Sequence, residues 1–575
     1  MAPASSLSLS GLKTRCRCLS AKSTVTRAYG VCSSSESLSL SSRRRFRSLP
    51  AGGASHRARH SASPVFRYRS SAIVSATAVD FDDITRDRDA CGVGFIASLE
   101  GKRTHETVRK AVRALECMEH RGACSADDDS GDGAGFMTEI PWKLLSSDID
   151  GVVEGECGVG MIFLPQDATR AASCKKVIVE EAAAKGLELV GWRDVPVDKE
   201  VVGKFARETE PEIAQVILKS SLKGKELERQ LYITRKSIEA KIETMPEIGD
   251  DCYICSLSGK VVVYKGMLRS SVVQYFYLDL QSELFETVFA IYHRRFSTNT
   301  TPKWPLAQPM RFLGHNGEIN TLQGNLNLMM SREKTLKHPV WNGKEDELLP
   351  ICSPTASDSA NLDRVAELMT KTGFEVEEAM MILVPEAYDN HPELDEKYPE
   401  VKAFYRYYEG LQEGWDGPAL LIFSDGNKVG ARLDRNGLRP ARFWQTDDGY
   451  VYVASEVGVF GDTLESASGV VSKGRLGPGH MVSVDLQNGT FSTNIDIAKS
   501  VSSNKPYEEW TKSIVDLDTD SCEYKSEPQW SAKDALEMQV AFGYGLEDSQ
   551  LIIEGMAAEG REPTFCMGDT IALPF

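Results

Sequence analysis

The chain changes texture at Cys91, and that change limits what each part can fold into. Residues 1 to about 75 are dense in Ser, Ala and Arg, as in Ser33-Ser34-Ser35 and Arg43-Arg44-Arg45-Phe46-Arg47. Residues 1–79 hold thirteen Lys/Arg against one acid, Glu36; of the net charge of −17 they therefore carry +12, which leaves −29 for the remainder. This is the composition of an organellar transit peptide over 1–75, not of a fold. A basic arm for nucleic acid is the rival reading, and dense serine without interleaved aromatics disfavours it. The lack of a continuous apolar core segment argues against secretion. A serine-rich start without a clear amphipathic helix favours the chloroplast over the mitochondrion.

Residues 76–90 read as an exposed connector, since Asp80 to Ala90 is charged and has no apolar period. From Cys91 the pattern is that of a folded chain. Gly92-Val93-Gly94-Phe95-Ile96-Ala97 reads as a compact apolar strand. Val108, Ala111, Val112, Leu115 and Met118 recur at helical spacing and predict an amphipathic helix through about Glu119. Asp127 to Gly135 is acidic and glycine-rich but lacks the ordered spacing and closing glutamate of an EF-hand, so a solvated loop is expected. Met161–Leu164, Val261–Tyr264, Val288–Tyr292 and Tyr450–Ala454 read as strands. Ala419–Phe423 and Lys428–Leu433 form a hairpin across an Asp-Gly turn. Segment 166–250 alternates helix-like and polar stretches (Lys175 to Lys185, Pro211 to Lys219) and carries no motif tied to chemistry. Antiparallel strands with interposed helices predict an α+β sandwich, sheets inside and helices outside.

Length and charge narrow the function. With 575 residues the chain needs two or more domains. No run of about 18 apolar residues occurs, so no transmembrane helix is expected. The acidic body repels nucleic acid and anionic membrane surfaces. Thirteen cysteines without a framework read as reduced intracellular thiols. The lone Cys252-Tyr-Ile-Cys255 has no second pair at zinc spacing, so two half-buried strand residues are expected there rather than a metal site. No dinucleotide, P-loop, H-E-x-x-H or nucleophile-elbow motif stands in a convincing context.

Cys91 itself is the candidate nucleophile. An ordinary thiol, with a pKa near ~8.5, is a weak nucleophile at neutral pH. If everything before Cys91 is removed, its own α-amine, with a pKa near ~7.7–8.0, can take the thiol proton without any histidine. Three further stretches belong with it. Tyr292-His293-Arg294-Arg295-Phe296-Ser297-Thr298-Asn299-Thr300 follows an apolar strand. Leu313-Gly314-His315-Asn316-Gly317-Glu318-Ile319-Asn320 puts an Asn-Gly pair after another. Ser357-Asp358-Ser359-Ala360-Asn361 precedes a helix with apolar Leu362, Val365, Ala366 and Met369. Singly these are a strand end, a turn and a helix cap.

Together, in this order and behind Cys-Gly-Val-Gly-Phe, they resemble the class II glutamine amidotransferases, the N-terminal-nucleophile glutaminases. The resemblance implies a four-layer αββα sandwich and cleavage between Ala90 and Cys91. It makes Cys91 the nucleophile and Arg295 the grip on the glutamine α-carboxylate, with Arg294 the next candidate. Asp358 would hold the α-ammonium. The Asn316 side chain and the Gly317 backbone N–H would form the oxyanion hole. Thr298 and Gln308 would line the pocket, although Gln308 departs from the histidine common in the sugar-phosphate branch. Arg121, in Glu-His-Arg-Gly, would be a structural or orienting arginine beside the nucleophile.

Further motifs narrow the resemblance to the glutamate synthases, ferredoxin-dependent and plastid in type. They include Cys117-Met118-Glu119-His120-Arg121-Gly122, Gly131-Asp132-Gly133-Ala134-Gly135, Trp415-Asp416-Gly417-Pro418-Ala419 and Asp434-Arg435-Asn436-Gly437-Leu438-Arg439-Pro440. That family implies an amidotransferase domain over 91–510 and the beginning of a central domain over 511–575. Its FMN and 3Fe-4S cluster sites are expected beyond Phe575, so no cofactor or metal is expected within this stretch. L-Glutamine would be the substrate here, with 2-oxoglutarate and reduced ferredoxin as partners of the longer enzyme. The NADH-dependent form, an amidotransferase with another acceptor, and a silent remnant with an exposed apolar face over 531–570 are the alternatives.

Overall fold

The computed structural model describes residues 92–127, 129–246, 248–294, 302–460, 469–515, 530–546 and 548–560. Cys91, Arg295 and Thr298 lie outside them, as do the leader and connector.

Strand β1 (Gly92–Ser98) is buried along its whole length, as an unbroken apolar run requires of a strand covered on both faces. It is the middle strand of a seven-stranded antiparallel sheet. The order is β14 (Val470–Arg475), β12 (Arg442–Thr446), β13 (Tyr450–Ala454), β1, β8 (Phe289–Arg294), β2 (Ala134–Glu139) and β7 (Val261–Gly266). Gly92 pairs with Arg294 of β8, and Gly94 with Ala454 of β13. A second antiparallel sheet runs β16 (Thr490–Ser492), β15 (Met481–Asp485), β11 (Lys428–Leu433), β10 (Ala419–Ser424) and β9 (Leu313–Gly317), which leaves β9 at an edge.

The two sheets close on one apolar core. Successive residues of β10 show how the layers are divided, because strand side chains alternate faces. Leu420 and Ile422 join Val93, Phe95 and Ile291 between the sheets, whereas Leu421 and Phe423 point into a second core under the helices. Helix α1 (His105–Cys117) packs on β1 and β8. Its Val108, Ala111, Val112 and Leu115 are buried, the face expected from their spacing, and Thr104 caps it through the Thr107 N–H. Beyond the other sheet lie α4 (Asp358–Thr372), α5 (Val376–Leu383), α6 (Pro399–Glu409) and α7 (Asn494–Ser502). The result is the expected four-layer helix–sheet–sheet–helix sandwich.

Segment 157–258 adds an unpredicted unit. Strands β3 (Cys157–Leu164), β4 (Glu188–Asp194), β5 (Glu212–Lys219) and β6 (Tyr253–Ser258) form a four-stranded antiparallel sheet in the order β4-β5-β3-β6. With α2 (Ala168–Ala184) and α3 (Gly224–Glu243) the chain order is β-α-β-β-α-β, a ferredoxin-like arrangement with its own core. The stretch Pro211 to Lys219 is therefore mostly a strand. Its six consecutive buried residues carry no period that distinguishes strand from helix.

Two further expectations need correction. The acidic loop is not simply solvated: Ser130 and Asp132 are buried, and Gly131 packs on the Leu268 backbone. The Asp127 carboxylate accepts from Ser130 N–H and Oγ and from Phe205 N–H, tying the loop to its neighbours. Helix α4 also starts earlier than its apolar pattern suggests. Ser357 caps it through the Ala360 N–H at 3.2 Å, so Asp358 already lies in its first turn. Cys255 is buried in β6, where burial pushes its thiol up to about 12, while Cys252 precedes the strand half-buried. Helix α8 (Ala532–Ala541) buries none of its residues, and Val540, Phe542 and Leu546 are exposed. Among the described residues no helix is long and apolar enough to cross a membrane.

Candidate active site

Edge strand β9 carries the Asn316-Gly317 pair, and its free side is held by side chains. Ala419, opposite Gly317 on β10, donates its N–H to Asp434 Oδ1, and its carbonyl accepts the Asp434 N–H. Neither group is left for β9, so the Gly317 N–H is turned away from the sheet. Two residues earlier, where a strand repeats its direction, the His315 N–H donates to Gln308 Oε1 at 2.6 Å. Gln308 is buried, so its side chain replaces the strand that the edge lacks. Gly317 has φ of 150°, and a Cβ there would lie 1.7 Å from the Pro418 carbonyl oxygen. Only glycine fits this place.

Asp358 reaches β9 from the first turn of α4. Its Oδ2 accepts the Ile319 N–H at 3.0 Å, and its Oδ1 accepts the Ser359 N–H at 2.6 Å and the Ser359 hydroxyl at 3.2 Å. Ser359 Oγ also lies 2.7 Å from His315 Nδ1. His315 is buried, and burial pushes its imidazole below the ordinary value, so the neutral ring is the form present at neutral pH.

The start of β1 forms the other wall. The Val93 N–H donates to Ser455 Oγ at 3.2 Å, and the Ser455 N–H donates to the Val93 carbonyl at 2.9 Å. The next residue, Glu456, accepts from Arg121 Nε at 2.5 Å and lies 2.9 Å from His120 Nε2. The Arg121 guanidinium is thus paired, so the expected orienting arginine is not a lone cation. Arg294 is wholly buried at the end of β8, bound to Asp132 and, at 3.1 Å, to the Gly133 carbonyl. Gly122 lies so close that a Cβ would be 1.6 Å from Arg294 Cζ. From its buried place Arg294 holds the acidic loop to the sheet.

The two walls meet where the sheets cross. Gly314 packs on Val93 and His293, with a Cβ position 3.4 Å from each, and His293 Nε2 donates to the His315 carbonyl at 2.9 Å. Asn316 and Gly317 follow directly along β9, while one peptide bond before Gly92 stands Cys91. Gln308, Asn316, Gly317 and Asp358 therefore form one connected group around β9. Arg121 belongs to the β1 wall. Among the described residues no three His, Cys, Asp or Glu side chains gather in a way that could hold a metal ion.

The family model for glutamine amidotransferases class-II matches residues 91–510, beginning at Cys91 and spanning both walls. The chain belongs to the class II glutamine amidotransferases. This amidotransferase is 55% identical over 501 residues to a protein of Arabidopsis thaliana named ferredoxin-dependent glutamate synthase 1, chloroplastic/mitochondrial, covering 86% of this chain and 31% of that relative. It is 54% identical over 507 residues to the chloroplastic ferredoxin-dependent glutamate synthase of Oryza sativa subsp. japonica, again 86% of this chain and 31% of the relative. A ferredoxin-dependent glutamate synthase 2 of Synechocystis is 49% identical over 500 residues, covering 85% and 31%. The chain spans less than a third of the length of these relatives.

Sequence reasoning missed the partners of the site residues. Glu456 lies 335 positions from Arg121, and Ser359 lies 44 from His315. The Glu119-His120-Arg121-Gly122 and Gly314-His315-Asn316 stretches were the available signals, but spacing along the chain says nothing of what each side chain faces.

Proposed function

We propose that this amidotransferase hydrolyses L-glutamine to glutamate and ammonia through a thioester on Cys91. The observation that carries the reading is the crossing of the sheets, where the strand bearing Asn316 and Gly317 packs on Val93, two residues from Cys91. Cleavage of the Ala90–Cys91 bond frees the α-amine, which takes the thiol proton. The sulphur attacks the γ-carboxamide carbon, and the amine returns the proton to the departing ammonia. Water then cleaves the γ-glutamyl thioester to glutamate. The Asn316 amide and the Gly317 N–H stabilise the tetrahedral oxyanion, a contribution of about 3–4 kcal/mol per donor. Arg295 grips the α-carboxylate as a planar fork, and Asp358 holds the α-ammonium. Thr298 lines the pocket. Gln308 acts by bracing β9, and Arg121, paired with Glu456, orients the mouth of β1.

The names of the relatives support a place for this stretch in a ferredoxin-dependent glutamate synthase of the chloroplast, with 1–75 as transit peptide and 511–575 as the opening of a central domain. In that longer enzyme the ammonia would meet 2-oxoglutarate, and a bound FMN and iron–sulphur cluster would supply the reducing chemistry with reduced ferredoxin as donor. The test is the N-terminal sequence and intact mass of the protein from its native compartment, together with a glutaminase assay. The reading expects a start at Cys91 and release of ammonia; retention of Ala90 on an active protein overturns it.

A further inference from the structure

Behind β9, three polar side chains form a directed chain. The Ser359 hydroxyl has one proton, so its 3.2 Å contact with Asp358 Oδ1 and its 2.7 Å contact with His315 Nδ1 are both hydrogen bonds only when the imidazole donates the second. The Nδ1–H tautomer of His315, 1% exposed, is the one that satisfies both contacts. Its carbonyl is fixed from the opposite sheet by His293 Nε2. A carboxylate offers about four acceptor positions. At Asp358 the Ser359 N–H and hydroxyl occupy two on Oδ1, and the Ile319 N–H occupies one on Oδ2. Among the described residues one position remains, on Oδ2.

We propose that His315 and Ser359 are positioning residues that set the span between the substrate ammonium at Asp358 and the reacting amide at Asn316 and Gly317. The inference deepens the reading of the site given above and rests on it. His315 is the backbone neighbour of Asn316, and its ring reaches Asp358 through one hydroxyl. Strand β9 and the first turn of α4 are thereby locked at one separation. Such a lock selects an α-amino acid whose carboxamide stands at the γ position, because a chain one methylene shorter cannot fill both ends.

The test measures kcat and KM in the full chain for glutamine and for 4-carbamoylbutanoate, the same amide without the α-amino group. Ser359→Ala should raise KM for glutamine about ten-fold with kcat within about two-fold, the effect of one charge-assisted hydrogen bond. It should leave kcat/KM for the amine-free amide unchanged, and Ser359→Thr, which keeps the hydroxyl, should restore glutamine. A purely structural role would lower kcat for both amides alike, and that outcome overturns the proposal. Should Ser359→Ala fail to accumulate, His315→Gln must shift the ratio of the two kcat/KM values in the same direction; an unshifted ratio overturns the proposal. Asp358→Asn separates the layers: a ratio changed by it but not by Ser359→Ala removes the positioning role alone. A ratio changed by neither removes the ammonium site as well.

Discussion

Gly317 and Gly417 stand back to back, each pressed on the backbone beside the other. A Cβ on Gly317 would lie 1.7 Å from the Pro418 carbonyl oxygen, and one on Gly417 would lie 2.0 Å from the Glu318 carbonyl oxygen. Their φ values, 150° and 155°, are ones that side chains other than glycine's rarely allow. The Asp416 carbonyl completes the contact by accepting the Asn320 N–H at 2.8 Å. The Gly317 N–H is thus aimed by a loop a hundred residues away.

Gly417→Ala should therefore act at a distance. It pushes Glu318 outward and carries the Gly317 N–H with it, and a shift of about 1 Å costs on the order of 100-fold in rate. Steady-state kinetics should show the loss in kcat, with KM for glutamine changed much less. Asn316→Ala should give a similar or larger loss, about 100- to 1000-fold in kcat.

Cys91→Ala should abolish glutamine hydrolysis while leaving the fold intact. Ammonia release and far-ultraviolet circular dichroism on the same preparation check both halves. Residual turnover above background would remove Cys91 as the nucleophile.

The neighbouring arginines should separate cleanly. Arg294 is buried on Asp132, so Arg294→Ala leaves an uncompensated buried carboxylate and should cost about 3–5 kcal/mol of stability. Arg295→Lys should instead raise KM for glutamine with the denaturation midpoint nearly unchanged, since a lysine cannot reproduce a bidentate grip. Denaturant titrations and KM values for both variants decide between the assignments.

Asp363 should make stability depend on pH. Its Oδ1 accepts the Phe312 and Leu313 N–H groups at 2.8 and 3.0 Å, bracing the start of β9. Burial first, and Glu367 second, raise its carboxyl from 3.8 to about 6. The folded state therefore holds a proton that the unfolded state has lost between these values. Stability is fully present below about pH 4 and falls as pH rises through 6, by on the order of 3 kcal/mol. Asp363→Asn keeps an acceptor oxygen and should remove that slope, leaving the variant more stable than the parent at pH 7. Denaturation midpoints at pH 4.5 and 7 check the sign.

Much of the sandwich was legible because its elements are set by near neighbours. β1 is an unbroken apolar run, α1 repeats every three to four residues, and β10 and β11 flank an Asp-Gly turn. The ferredoxin-like unit escaped because the buried run of β5 has no period. The start of α4 was legible only in its Ser-Asp-Ser cap signal, since a helix's first turn is chosen by its cap, Ser357, rather than by its apolar face.

The sequence by itself determined most strands of the sandwich, helix α1, the order of the motifs and the membership of the amidotransferase family, since these depend on local pattern. Only the tertiary structure decided which charges and hydrogen-bonding groups face each other. Arg294 meets Asp132, Arg121 meets Glu456, and His315 meets Ser359 because particular strands and helices become neighbours. The strength of a polar contact depends on distance and burial in space, and separation along the chain encodes neither.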